Sequence, residues 1–158
     1  MKRRLRRAAT ETGYDSEQMK RFEASVDIAA PRSHVWSVML DVERWPEWTP
    51  TVTSAKRLDA GPLRIGSRTH MVQPKLKPAI WQVTELDEAR ENFAWVARNP
   101  GVLVTAVHLV EPTATGCRAT VSIEFSGVLA PLAGWMMGKT TAEYVTTEAE
   151  SLKRHCEA

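Results

Sequence analysis

Residues 117–126, CRATVSIEFS, run directly into residues 127–156, GVLAPLAGWMMGKTTAEYVTTEAESLKRHC. The hydrophobic period changes between the two stretches. In the first, Ala119, Val121, Ile123 and Phe125 alternate with Arg118, Thr120, Ser122 and Glu124. Successive side chains of a strand point to opposite faces, so this is a strand with one buried face. In the second, Leu132, Trp135, Gly138, Ala142, Val145, Ala149, Leu152 and Cys156 fall three or four apart. That spacing predicts a long helix over about 129–156 with one continuous apolar stripe. Lys139, Glu143, Thr147 and Glu150 occupy its other face.

Upstream, the period-two pattern recurs. Phe22, Ala24, Val26 and Ile28 alternate with Glu23, Ser25 and Asp27, which predicts a first strand. Pro31 suits the first position of a helix, and Val35, Val38, Met39 and Val42 carry helical spacing to about Val42. Pro46 and Pro50 then oppose continuation. Six further strands are expected at 51–58, 66–73, 79–86, 93–98, 102–110 and 117–126. Turn residues separate them at short intervals, as in an antiparallel meander. The order strand, short helix, six strands, long helix predicts an α+β domain, with the helices on one side of a curved antiparallel sheet.

Composition bounds the reading. The chain has 158 residues, enough for one domain with a substantial core. Its formal charge is +2, but the charge is unevenly placed. Residues 1–21 hold seven Lys/Arg against three Asp/Glu, and residues 22–158 hold fourteen against sixteen. We therefore expect a basic, disordered arm over 1–20 and a single domain over 21–158. A slightly acidic body argues against a basic nucleic-acid-binding face, so no nucleic-acid partner is expected. The arm is read as a solvated tail, with weak, salt-sensitive contact to an anionic membrane or a nucleic acid as the alternative.

Cys117 and Cys156 are the only two cysteines, with no paired-Cys spacing. That argues against a disulfide scaffold or structural zinc and makes a reducing cytoplasm the expected location. The longest uncharged run, residues 125–138, has 14 residues broken by Pro131 and three glycines. It is too short to span a bilayer. Metal-ligand spacings, a nucleophile elbow and phosphate-binding or dinucleotide glycine motifs are absent, so no cofactor and no metal are expected.

Several fragments together resemble the START-like, or Bet v 1-like (SRPBCC), superfamily, and within it the bacterial polyketide cyclase/dehydrase and lipid transport group. They are Val26-Asp-Ile-Ala-Ala-Pro31 with His34-Val-Trp36, Asp41-Val-Glu-Arg-Trp-Pro-Glu-Trp48, Ile65-Gly-Ser67, Trp81-Gln-Val-Thr-Glu85, Phe93-Ala-Trp95, Gly116-Cys-Arg-Ala-Thr-Val121 and Phe125-Ser-Gly127. The resemblance covers about residues 22–157. It implies a helix-grip fold: a curved seven-stranded antiparallel sheet around the C-terminal helix, with a short helical segment between the first two strands. It does not imply one activity, because the superfamily mixes carriers, receptors and cyclases.

A cavity between sheet and helix is the expected ligand site. Trp48, Trp81, Trp95 and Trp135 are read either as core and rim packing or as stacking surfaces in that cavity. Met71, Met136 and Met137 are read as an adaptable wall or as gap fillers. Val83, Ala106, Val121 and Ile123 share strand parity with these inward positions. His108 is the one polar residue on the face of Val104, Ala106 and Val110. It is read as a hydrogen-bonded core histidine, a ligand-recognition group or a general acid/base. Arg68, Thr69, Thr105 and Tyr144 are of the types that superfamily cyclases use to hold a polyketone, and no single constellation of them follows from the sequence. The leading expectation is a carrier for one small apolar or amphipathic molecule, lipid-like or polyketide-like. A polyketide aromatase/cyclase or dehydratase is the alternative, and a membrane-recruited lipid-binding protein is a weaker one.

Overall fold

A computed structural model describes residues 20–158. The expected arm therefore lies outside the described residues, apart from Lys20. Strand β1 (Lys20–Ile28) leads into helix α1 (Arg32–Leu40). Six strands follow: β2 (Ser54–Arg57), β3 (Arg68–Val72), β4 (Ala79–Asp87), β5 (Asn92–Asn99), β6 (Val102–Thr113) and β7 (Gly116–Ser126). Helix α2 (Ala130–Glu157) closes the chain.

The sheet has seven strands in the order β1-β7-β6-β5-β4-β3-β2, with every pair antiparallel. Strands β2 to β7 form the expected meander, and β1 adds to its far edge beside β7. The register aligns inward side chains in rows. Ala24, Val121, His108 and Phe93 share one row, and Phe22, Ile123, Ala106, Trp95 and Val83 share another. A bulge between Val83 and Glu85 shifts the β4–β5 register there.

The start of the chain differs from expectation in two details. Pro31 caps α1 rather than opening it, and its carbonyl accepts hydrogen bonds from the His34 and Val35 amides. After Leu40 the chain does not leave helical geometry at the prolines. Residues Val42–Glu47 wind as a 3₁₀ helix that contains Pro46. This segment buries Trp45, whose indole N–H donates to the Met39 carbonyl at 3.1 Å.

Helix α2 lies across β1 and β7. A Cβ on Gly138 would sit 3.2 Å from Cζ of Phe22, so the helix approaches the sheet there through a missing side chain. The face turned to the sheet carries Ala130, Thr141, Val145, Glu148, Ala149, Ser151, Leu152 and Cys156, all buried. The expected stripe holds at Gly138 and from Val145 onward. Its members recur on average every 3.4 residues, so on a straight helix they drift by about 120° between Leu132 and Cys156. Leu132 and Trp135 consequently face away from the sheet, and Ala142 is exposed.

Candidate functional site

His108 and Glu148 are a buried, hydrogen-bonded ionisable pair of the interior. The inward row of β6 carries His108, and the sheet-facing side of α2 carries Glu148. Their residues are 2% and 8% exposed. His108 Nε2 lies 2.8 Å from Glu148 Oε1, a hydrogen bond that joins sheet to helix.

Aromatic rings enclose the imidazole. Phe93, its partner across the β5–β6 ladder, stacks on it at 4.7 Å with 10° between planes. Trp45 reaches it from the 3₁₀ segment at 5.2 Å, and Trp95 stands edge-on at 6.1 Å. Trp95 in turn contacts Trp45 at 5.4 Å and Trp81 at 5.6 Å. The opposite nitrogen, His108 Nδ1, is buried and has no hydrogen-bond partner among the described residues. When Nε2–H donates to the carboxylate and the ring is neutral, Nδ1 is an acceptor without a donor. When both nitrogens are protonated, Nδ1 is a donor without an acceptor. Either way it is an incomplete polar atom in an apolar box, which costs about 1–3 kcal/mol until something completes it.

Thr69 Oγ1, Trp81 Nε1 and Trp48 Nε1 are likewise buried and unpartnered among the described residues. Thr69 and Trp81 are register partners on β3 and β4. Unsatisfied groups are therefore spread along the inward face rather than confined to His108.

The structure brings most of the predicted residues together. Met71, Trp81, Val83, Trp95, Ala106, His108 and Val121 are all buried in the interior, with Ile123 half-buried in the Ala106 row. Trp48 stands apart, half-buried, against Trp45 and stacked on His155 at 6.3 Å. Trp135 and Met136 correct the expectation. They are 82% and 68% exposed on the first turns of α2: the drift of the stripe turns Trp135 from the sheet, and Met136 lies beside it on that outer side.

The polar candidates do not converge either. Thr69 faces inward, whereas Arg68 and Thr105 lie on the opposite face of their strands. Tyr144 donates its hydroxyl to the Pro74 carbonyl in the β3–β4 connection. Glu148, Trp45 and Phe93 are the site residues that sequence reasoning did not single out. Glu148 falls between Val145 and Leu152 on the helix's apolar side, and a lone carboxylate on such a face was the available signal.

Two clefts lie elsewhere. One of about 440 Å³ opens among Arg68, Ile80, Gln82 and Arg98, and one of about 30 Å³ among Val38, Arg44, Trp48 and His155. Among the described residues no group of three or more His, Cys, Asp or Glu side chains is arranged to hold a metal ion. No helix there is long and apolar enough to cross a membrane.

Comparison with solved structures shows the same fold. An aromatase/cyclase named Zhui, from a Streptomyces species, superposes with a TM-score of 0.70 at 18% identity, over 88% of this chain and 94% of that one. Major latex-like protein 151 of Panax ginseng superposes with a TM-score of 0.70 at 10% identity, over 88% and 98%. A Thermus thermophilus protein does so with a TM-score of 0.70 at 16% identity, over 87% and 97%. No curated protein sequence matches the chain. The family match spans residues 19–157, from the first strand to the end of α2, and on that ground the chain belongs to the polyketide cyclase / dehydrase and lipid transport family.

Proposed function

We propose that the protein binds one small apolar or amphipathic molecule, lipid-like or polyketide-like, between the inward face of its sheet and α2. The observation that carries this reading is the unpartnered His108 Nδ1 inside a box of Trp45, Phe93 and Trp95. A ligand with an apolar body and one polar end satisfies both features at once. Its body gains roughly 25 cal/mol per Å² of apolar surface buried, before association costs. Its polar end completes Nδ1, while Glu148 holds the ring in place through Nε2. Indole rings fill the space beside His108, so on this reading binding displaces side chains. The 3₁₀ segment bearing Trp45 is the cover that moves.

Native mass spectrometry of freshly purified protein tests this. A co-purified small molecule is expected, and the paired replacement His108→Leu with Glu148→Leu removes it or changes its identity. Replacing both partners of a buried pair by apolar groups preserves the fold better than removing one. If the paired variant holds the same molecule to the same extent, the orienting role is wrong. If the wild type neither carries a molecule nor takes up an apolar fluorescent probe, the binding reading itself fails.

A second reading is a cyclase or dehydratase, favoured by the orientation of the same pair. A carboxylate on one imidazole nitrogen, with the other free, is the arrangement of a general base that removes a proton beside a carbonyl. On this reading His108→Gln, offered a polyketone substrate, loses turnover and keeps affinity. If turnover persists in that variant, His108 is not the base.

A further inference from the structure

The antiparallel topology gathers five features at one end of the molecule: the start of β1, the β3–β4 and β5–β6 connections, the end of β7 and the first turns of α2. Contacts confirm their proximity. The Leu129 amide donates to the Gly101 carbonyl, Tyr144 bonds to Pro74, and the site of a Gly134 Cβ lies against the Lys20 side chain.

This end is apolar at its tip. Val128, Leu129, Leu132, Trp135 and Met136 are all exposed, and Trp135 at 82% is a large indole given almost wholly to solvent. At 100° per residue, the four of these at 129, 132, 135 and 136 span an arc of about 120°, on the side of α2 away from its buried face. Clusters of exposed apolar side chains mark interaction surfaces.

The same end is basic. Lys20, Lys75, Lys77, Arg98 and Lys139 are exposed there, and none has an acidic partner among the described residues. No Asp or Glu occurs in residues 72–84, 92–110 or 125–142, and at the start of β1 Glu23 is paired with Arg21. The sequence preceding Lys20 adds Lys2, Arg3, Arg4, Arg6 and Arg7 against Glu11, Asp15 and Glu17, a net of +2. Acidic residues gather instead toward the other end, as in Asp87-Glu88 and Glu91 of the β4–β5 connection.

We infer that this end docks on an anionic lipid bilayer, with Leu132, Trp135 and Met136 entering the interface and the surrounding cations facing lipid headgroups. An apolar face rimmed by cations fits that surface, where indole rings sit at headgroup depth and each cation adds attraction. Two copies of this chain meeting through the same face would set like charges against each other. A nucleic acid would leave the aliphatic tips without an apolar partner. The inference does not depend on what the interior binds.

Co-sedimentation of the full chain with vesicles tests it. Binding is expected to vesicles of phosphatidylcholine with phosphatidylglycerol, not to phosphatidylcholine alone, and to weaken as salt rises. Trp135→Ser with Met136→Ser lowers partitioning by about tenfold or more while leaving the melting temperature unchanged. Replacing the five cations at positions 2–7 by Ser lowers it by more than about tenfold. Ile65→Ser, at an exposed apolar site in the β2–β3 connection at the other end, leaves it unchanged. Equal binding to both vesicle types overturns the proposal, as does full binding by the Trp135/Met136 variant. So does self-association that the Trp135/Met136 variant abolishes in a protein that binds no vesicles.

Discussion

His108 concentrates the chemistry of the interior in one residue. Its inward orientation was legible from parity alone, because it shares a strand face with Val104, Ala106 and Val110. Its partner was not legible, since the 40 residues separating His108 from Glu148 are spanned only by the fold. The two ends of the hydrogen bond respond differently to substitution. His108→Ala leaves a buried carboxylate without its partner, and unfolding free energy should fall by about 3–5 kcal/mol. Glu148→Gln keeps an acceptor opposite Nε2, so its cost should stay near about 1 kcal/mol. Urea denaturation of both variants measures the difference. Equal losses would mean that the carboxylate charge, not the hydrogen bond, matters to the fold.

Among the elements, the strands were the most legible. Period-two alternation and the turn residues between runs place all seven within a few residues of their observed bounds. Helix α2 was legible in extent but not in rotation. Spacing of three and four residues describes a stripe without saying where a straight helix carries it. The glycines resolve the rotation, because a Cβ at Gly134 would lie 2.6 Å from the Lys20 side chain and one at Gly138 would lie 3.2 Å from Phe22 Cζ. Gly138→Leu should therefore lift the helix from β1 and cost about 1–3 kcal/mol. Trp135→Ala, three residues away and exposed, should change stability by less than about 0.5 kcal/mol. Thermal unfolding of the two variants checks the contrast. A larger loss from Trp135→Ala would place the packed face of α2 on the wrong side.

At the scale of the whole molecule, titrating groups tie β1, the β2–β3 connection and the end of α2 to their neighbours and shape how stability varies with pH. Hydrogen bonding to Arg118 lowers the Asp27 carboxyl below its ordinary range. The Arg68 amide and the Arg57 guanidinium lower Asp59 in the same way, and the Ala29 amide and Lys153 lower Glu157. A carboxyl whose folded pKa is depressed binds its proton less readily folded than unfolded. Its contribution is present above about pH 4 and is lost as pH falls through the folded value. The alkaline side rests on a thiol. Burial, with Cys117 nearby, pushes Cys156 up to about 11. An unfolded chain releases that proton above about pH 8.5, while the folded chain keeps it, so unfolding gains a driving force as pH rises from there toward 11. These groups make stability fall as pH drops below about 4 and again as it rises above about 8.5. Cys156→Ala should reduce the alkaline slope without abolishing it, because burial also raises Cys117 and Tyr144. Urea midpoints measured from about pH 7 to about pH 10.5 report this directly. An alkaline slope identical in wild type and Cys156→Ala would mean that the thiol at the end of α2 reaches solvent, and that α2 does not seal the sheet at that end.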